Sequence, residues 1–252
     1  MPSATSTALA KGARLIASDA MVLRCGKSPL LLAWRQRSAG GPPHALKVRL
    51  GIEAFVKDTF GLPGSPGAAT LVQAFVGELL WHRLVSEGVA PADGRKLVHV
   101  AELSWSAYQQ GGDGLVVYEV KGGQLVFRLW EIKKHDSSAH LSRTIGRACT
   151  QLTDNAVRYL AQFTGYGSRH DGELGRLYGQ LVPLWLDEDP RAGVGVAVAT
   201  SAKHAPKRRG FGSVATAFPQ FAAHGQREGL VVAVDQFPRF ATHVQEAIWS
   251  GL

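Results

Sequence analysis

Stretches with a helical hydrophobic period alternate along this chain with short apolar runs broken by glycine. From Ala68 to Ser86, Leu71, Phe75, Leu79 and His82 recur at three- and four-residue intervals, with Val72 and Val76 beside them. That spacing predicts a helix, ended by Gly88 and Pro91. Lys96–Leu103, Gly114–Val120 and Leu125–Lys133 read as strands, the last two joined across Gly122-Gly123 as a hairpin. Helical spacing returns over Ser142–Gln162 through Ile145, Cys149, Leu152, Ala156 and Tyr159. Strands are predicted over Leu177–Leu186, Val194–Thr200 and Leu230–Val234, and a closing helix over Ala241–Trp249.

The start of the chain has a weaker pattern. Ala8–Ala20 suggests a helix, Pro29–Trp34 a strand and Ser38–Pro43 a loop, and Leu46–Phe60 is periodic but interrupted by Gly51. Gly61-Leu-Pro-Gly-Ser-Pro-Gly67 is strong punctuation. It divides an N-terminal extension, 1–60, from a main domain, 61–252. Helix, three strands, helix, further strands and a last helix predict an α/β fold with a central mixed β-sheet flanked by helices. Strands buried on both faces should be apolar, as Val116-Val117-Tyr118 and Leu125-Val126-Phe127 are.

Composition narrows the class. The chain has 252 residues, 45% of them hydrophobic, enough for a core of its own. No apolar run approaches the ~20 residues of a membrane span. The first residues do not read as a secretory signal, so a cytoplasmic protein is expected. Cys25 and Cys149 fit reduced, buried thiols. The net charge of +8 is uneven. Residues 1–60 carry nine Lys/Arg against three Asp/Glu, residues 61–170 eleven against nine, and residues 171–252 eight against eight. A basic segment joined to a balanced domain suggests a hold on an anionic polymer or an acidic partner; simple solubility is the plainer alternative.

Candidate chemistry gathers at the hairpin. Asp113 opens its first strand, Glu131-Ile132-Lys133 closes its second, and Glu78 sits on the helix before it. Chance alone supplies about one acid-x-Lys in a chain of this composition. Two are present, and Glu119-Val120-Lys121 abuts the glycine turn, where a lysine is a solvated tip. Paired residue numbers in an antiparallel hairpin have a constant sum. A two-residue loop makes it 245 and turns Asp113 away from Glu131; a three-residue loop from Lys121, or one bulge, makes it 244 and pairs them. The functional reading requires the second register. Asp113 and Glu131 would then offer hard oxygens to Mg²⁺ or Mn²⁺, with the Ile132 carbonyl as a further ligand. Such a metal polarises a scissile phosphate and lowers the pKa of water. Lys133 would position the attacking water and offset developing charge, and Glu78 would complete the site. The plainer alternative is a hairpin with salt-bridged ends.

This order, a helix with Glu, a strand pair bearing Asp and then Glu-x-Lys, and a following helix, resembles the PD-(D/E)XK nuclease superfamily over roughly Ala68–Phe163. Gly112 stands where that pattern has Pro. The resemblance implies a restriction-endonuclease-like core, a Mg²⁺-dependent deoxyribonuclease, metal ligands at Asp113 and Glu131, a catalytic Lys133 and a helical acid at Glu78. It brings in Gln151 as a helical Gln after the motif, although Asn155 replaces the tyrosine expected four residues on. Gly77-Glu78-Leu79-Leu80, Gly112-Asp113-Gly114 and Leu129-Trp130-Glu131-Ile132-Lys133 are similar to the HamA nuclease subunits of Hachiman anti-phage systems. That similarity implies a role in prokaryotic defence and a helicase partner.

Further cations are candidates for DNA backbone contact: Lys134, Arg143 and Arg147 near the start of the second helix, and Lys203, Lys207, Arg208 and Arg209 in a basic loop after a predicted strand. A solvated loop is the alternative for the last four. The histidines lack a zinc spacing, and Ser104, Ser137 and Ser138 lack a nucleophile-elbow context. A non-catalytic nucleic-acid or partner-binding module on the same fold is the second functional expectation.

Overall fold

The computed structural model describes residues 4–88, 93–103, 112–135, 137, 140–206 and 210–252. The chain begins with three helices, α1 (Ala4–Cys25), α2 (Pro29–Ser38) and α3 (Leu46–Phe60). A tight ladder of β1 (Gly61–Leu62) and β2 (Ser65–Pro66) leads into α4 (Ala69–Ser86). Then come β3 (Lys96–Val100), β4 (Gly114–Glu119) and β5 (Leu125–His135), followed by α5 (Leu141–Gly167) and α6 (Gly172–Leu186). The chain closes with β6 (Val194–Ser201), a 3₁₀ turn (Ala202–His204), α7 (Gly212–Ala217), β7 (Arg227–Val234) and α8 (Phe237–Trp249).

The main sheet is five-stranded and mixed, ordered β3-β4-β5-β6-β7. The pairs β3–β4 and β4–β5 are antiparallel, whereas β5–β6 and β6–β7 are parallel. Period-two alternation sorts the side chains into two layers. Val116, Tyr118, Val126, Trp130, Ile132, Ala197 and Ala199 face α1–α4 and α8. Leu115, Val117, Phe127, Leu129, Val194, Val196 and Val198 face α5–α7. Every residue of β6 is buried, as befits a strand covered on both faces. The predicted mixed sheet flanked by helices is therefore present.

Two expected strands are helices. Ser28 caps α2, its hydroxyl accepting from the Leu30 N–H at 3.2 Å, and Pro29 occupies the first turn, where its missing N–H costs nothing. The run Leu30-Leu31-Leu32 looks like a strand, yet Leu31 and Trp34 are the two buried residues, three apart. Leu177–Leu186 lies within α6, whose buried Leu177, Tyr178, Leu181 and Leu184 follow a helical stripe; Pro183 inside that helix obscures the pattern.

The helices of 4–60 are built into the core. Ala13, Ile16, Ala17, Ala20 and Met21 of α1, Trp34 of α2, and Ile52, Val56 and Phe60 of α3 join one cluster with α4, α8 and the sheet. Polar ties reinforce it. The Trp34 indole donates to the Ile248 carbonyl at 2.8 Å, and Gln245 donates to the Phe60 carbonyl at 2.6 Å. The Gly61–Gly67 punctuation is the β1–β2 turn, and packing is continuous across residue 60. No helix among the described residues is long and apolar enough to cross a membrane. Cys25 and Cys149 are buried free thiols.

Candidate active site

The hairpin adopts the register that brings the acids together. Partners run from Gly114↔Trp130 to Glu119↔Leu125, so residue numbers sum to 244. Val120 N–H donates to the Gln124 carbonyl at 3.0 Å, leaving a three-residue loop, Lys121–Gly123. Gly122 and Gly123 have φ of 102° and 81°, where side-chain-bearing residues are strained. One step beyond the ladder, Asp113 stands opposite Glu131. There β4 has run out, and Asp113 Oδ2 accepts the Ile132 N–H at 2.7 Å, filling the slot a longer β4 would occupy. By strand geometry the Ile132 carbonyl faces the same gap.

The glycines around Asp113 have a packing cause. A Cβ on Gly114 would lie 2.1 Å from the Trp81 ring of α4. One on Gly112 would lie 2.9 Å from Phe163 and 3.1 Å from Tyr159 of α5. The chain threads between a helix on each face of the sheet, and only glycine fits on either side of the aspartate. Trp81 lies 5.6 Å from Trp130, which in turn covers Gly195. Glu78 lies one turn before Trp81 on the same helix, within the electrostatic field of the other acids.

Four charged groups meet in this gap. Glu131 is fully buried, and its Oε1 accepts from the Lys133 ammonium, itself 29% exposed. Glu131 Oε2 is buried without a donor among the described residues. Its carboxyl lies within hydrogen-bonding reach of Asp113, so the two compete for one proton. Burial and then the negative Asp113 push the Glu131 carboxyl up to about 8. Burial raises Asp113 less, because Lys133 and the Ile132 N–H favour its charged form. Glu78, half-buried by exposure, is pushed well above the carboxylate range by desolvation and by Asp113. The surrounding acids hold the Lys133 ammonium up against its own desolvation.

These donors fit a hard divalent cation in part. Two adjacent carboxyls, one with an unpartnered oxygen, and a backbone carbonyl point into one gap, and a positive charge there would relieve their mutual repulsion. Among the described residues, however, no three His, Cys, Asp or Glu side chains form a ready cage. Glu78 belongs to the cluster electrostatically, through Asp113, Lys133 and Glu131.

The expected backbone-contact residues are placed unevenly. Arg143 and Arg147 are exposed on the first turns of α5, with Arg147 donating to Thr144 Oγ1 at 3.4 Å. Lys203 is exposed on the 3₁₀ turn after β6. All three follow the C-terminal ends of β5 or β6, the end of the sheet that carries Glu131 and Lys133. Lys134 projects to the opposite face and donates to Gln73 at 3.0 Å. Lys207, Arg208 and Arg209 lie outside the described residues, as do Ser104 and Ser138. The Gln151 amide donates to the Tyr159 hydroxyl at 3.1 Å, on the helix that covers Gly112.

Sequence reasoning passed over His135. Its Nδ1 pairs with Thr144 Oγ1 at 2.9 Å, its carbonyl accepts from Thr200 at 2.7 Å, and its ring lies 6.3 Å from that of His204. The signal was period two: His135 follows Glu131 and Lys133 on one face of β5. No family model, curated protein or solved structure matches this chain.

Proposed function

We propose that this protein is a metal-dependent DNA nuclease of the PD-(D/E)XK type, acting with a helicase partner in prokaryotic defence against phage. The observation that carries the nuclease reading is the convergence of Glu78, Asp113 and Glu131 around Lys133 where β4 ends beside β5. Element order supports it, since α4, the β3–β5 meander, α5 and the parallel β6 follow the order expected of a restriction-endonuclease-like core. The helicase and defence assignments rest on the sequence resemblance alone.

In this reading Asp113, Glu131 and the Ile132 carbonyl hold Mg²⁺ or Mn²⁺, and Glu78 supports them from α4. When bound, the ion supplies Lewis-acid polarisation of a phosphate and a more acidic water. The Lys133 ammonium would position an attacking water and offset charge developing on phosphate oxygens. The buried wall formed by Trp81 and Trp130 limits solvent on one side of the gap. Arg143, Arg147 and Lys203 track the phosphate backbone at the mouth.

One observation favours a second reading. The Lys133–Glu131 pair suits a closed, non-catalytic site that binds nucleic acid or a partner. Cleavage of supercoiled, linear and single-stranded DNA, assayed with Mg²⁺, Mn²⁺ or chelator, separates the two. The nuclease reading expects metal-dependent cleavage that Glu131→Ala and Lys133→Ala abolish in folded protein. Cleavage by a clean Lys133→Ala preparation would sink it.

A further inference from the structure

We propose that the outer edge of β7 is a dimer interface, where β7 of a second copy of this chain adds antiparallel and continues the sheet. β7 is the last strand of the sheet and pairs with β6 over its whole length, Arg227–Val234, in unbroken register. Its free backbone groups can be located. Val194 N–H donates to the Gln226 carbonyl at 2.7 Å, and Val194 is the register partner of Arg227. Backbone direction alternates along a strand. Even-numbered residues of β7 therefore turn their N–H and C=O groups to β6, and Arg227, Gly229, Val231 and Ala233 turn theirs outward. Among the described residues no backbone hydrogen bond meets that outer row. The opposite edge of the sheet is blunted. β3 is shorter, starts with the exposed Lys96, has a register shift between Leu97 and His99, and has the His170 ring 4.9 Å from that of His99. β7 has no such device: past Glu228 it reads Gly-Leu-Val-Val-Ala-Val, without lysine, proline or bulge.

Self-complementarity selects the occupant. In antiparallel pairing about a twofold axis, facing residue numbers have a constant sum. A sum of 462 sets Val231 opposite Val231 and Gly229 opposite Ala233 of the second copy, and it alone sets Arg227 opposite Asp235. Gly229, Val231 and Ala233 turn their backbone outward, so these facing pairs exchange hydrogen bonds. The twofold repeats the Arg227–Asp235 pair at both ends of the contact. Asp235 is exposed in the turn after β7, and Arg227 donates to the Ala215 carbonyl at 3.3 Å. Neither takes part in an ion pair among the described residues. The odd-numbered side chains of β7 lie on the α5–α7 face, where a Cβ on Gly229 would lie 2.5 Å from the Phe211 ring. The facing Gly229–Ala233 pairs are small and exposed, which leaves room for Phe211 beside each. A foreign strand would make the same backbone hydrogen bonds, but nothing would require it to carry an acid opposite Arg227 and a base opposite Asp235 at this spacing. The inference is independent of the nuclease reading.

The test is the association state of the full chain, followed by sedimentation velocity over a range of concentrations. A reversible dimer is expected, in which the amides of Gly229, Val231 and Ala233 exchange hydrogen more slowly than in the monomer. Arg227→Asp sets acid against acid across the twofold, and Asp235→Arg sets base against base. Each alone should weaken self-association about tenfold. Mixed together, the two variants regain both ion pairs and should form a heterodimer about as tight as the wild-type dimer. Ala233→Lys, a change at an exposed position, should give a monomer that circular dichroism shows to be folded. The proposal is overturned if the wild type is monomeric at about 100 μM. It is also overturned if the mixture associates no better than either charge variant alone, or if folded Ala233→Lys dimerises like wild type. A monomeric wild type whose β7 amides are protected only by an added valine-rich peptide would overturn self-pairing and assign the edge to a foreign strand.

Discussion

Glu131 concentrates the tension between stability and chemistry in one side chain. Its carboxyl is buried, faces Asp113, and is pushed from an ordinary value near 4.5 up to about 8. Below about pH 4.5 folded and unfolded chains both hold this proton. Between there and about pH 8 the folded chain retains a proton that the unfolded chain has released, so stability falls as pH rises. Above that range the loss is complete. Glu131→Gln removes the ionisable group and keeps its shape. We expect that variant to melt at a higher temperature than wild type at pH 8, by a stability difference on the order of a few kcal/mol, with the difference vanishing near pH 4. Melting curves across this range test it, and parallel wild-type and variant profiles would contradict the assignment of the burial cost to Glu131. Lys133→Ala should move stability in the opposite direction at pH 8, because it strips Glu131 of its cation and leaves Oε1 as bare as Oε2.

Elements set the geometry in which these residues meet, and the tightest fit is α4 over β4. Gly114→Ala would drive a methyl group against the Trp81 ring, so we expect a loss of about 1–3 kcal/mol and a displaced Asp113. Urea denaturation measures the first. A Gly114→Ala protein of wild-type stability would show that α4 does not seat on this strand. Removal of residues 1–45 should be more severe, because it takes away α1 and α2 and bares Ile52, Val56 and Phe60. We expect an aggregating or unfolded chain by circular dichroism. Much of this architecture was legible beforehand. Apolar runs on either side of Gly122-Gly123 gave β4 and β5, and hairpin arithmetic reduced the pairing of Asp113 with Glu131 to a three-residue loop or one bulge, of which the three-residue loop is observed. The expected Glu131-Lys133 face also followed from alternation. Two kinds of feature did not show. Leu30-Leu31-Leu32 and Leu181-Val182-Pro183-Leu184 are apolar runs whose period is ambiguous, and only the capping Ser28 and long-range packing make them helical. The glycines beside Asp113 showed no constraint in the sequence, because it comes from Trp81, Tyr159 and Phe163, which are distant in sequence.

At the scale of the whole molecule, the candidate site is a set of like charges held together by the surrounding fold. Glu78 comes from α4 on one side of the sheet, Asp113 from the start of β4, and Glu131 from β5, and burial raises all three carboxyls. Their repulsion opposes closure of α4 over the hairpin, so a cation that binds only the closed arrangement should stabilise the entire domain. Linkage sets the scale: a ligand at ~100 times its dissociation constant adds about 2.7 kcal/mol. The sign of the pH effect follows from Glu131. At about pH 5 the cation must displace the proton held by a carboxyl whose folded value is about 8; nearer pH 8 that competition weakens. We therefore expect Mg²⁺ to raise the melting temperature more at pH 8 than at pH 5, and to do so little in Glu131→Gln. Trp81 and Trp130, 5.6 Å apart beside the gap, supply a second readout through their fluorescence, which should saturate with the same midpoint as the stability shift. An equal Mg²⁺ effect in wild type and Glu131→Gln would place any bound ion elsewhere. No effect in wild type at pH 8 would leave the carboxyl cluster as the closed, lysine-neutralised end of a hairpin.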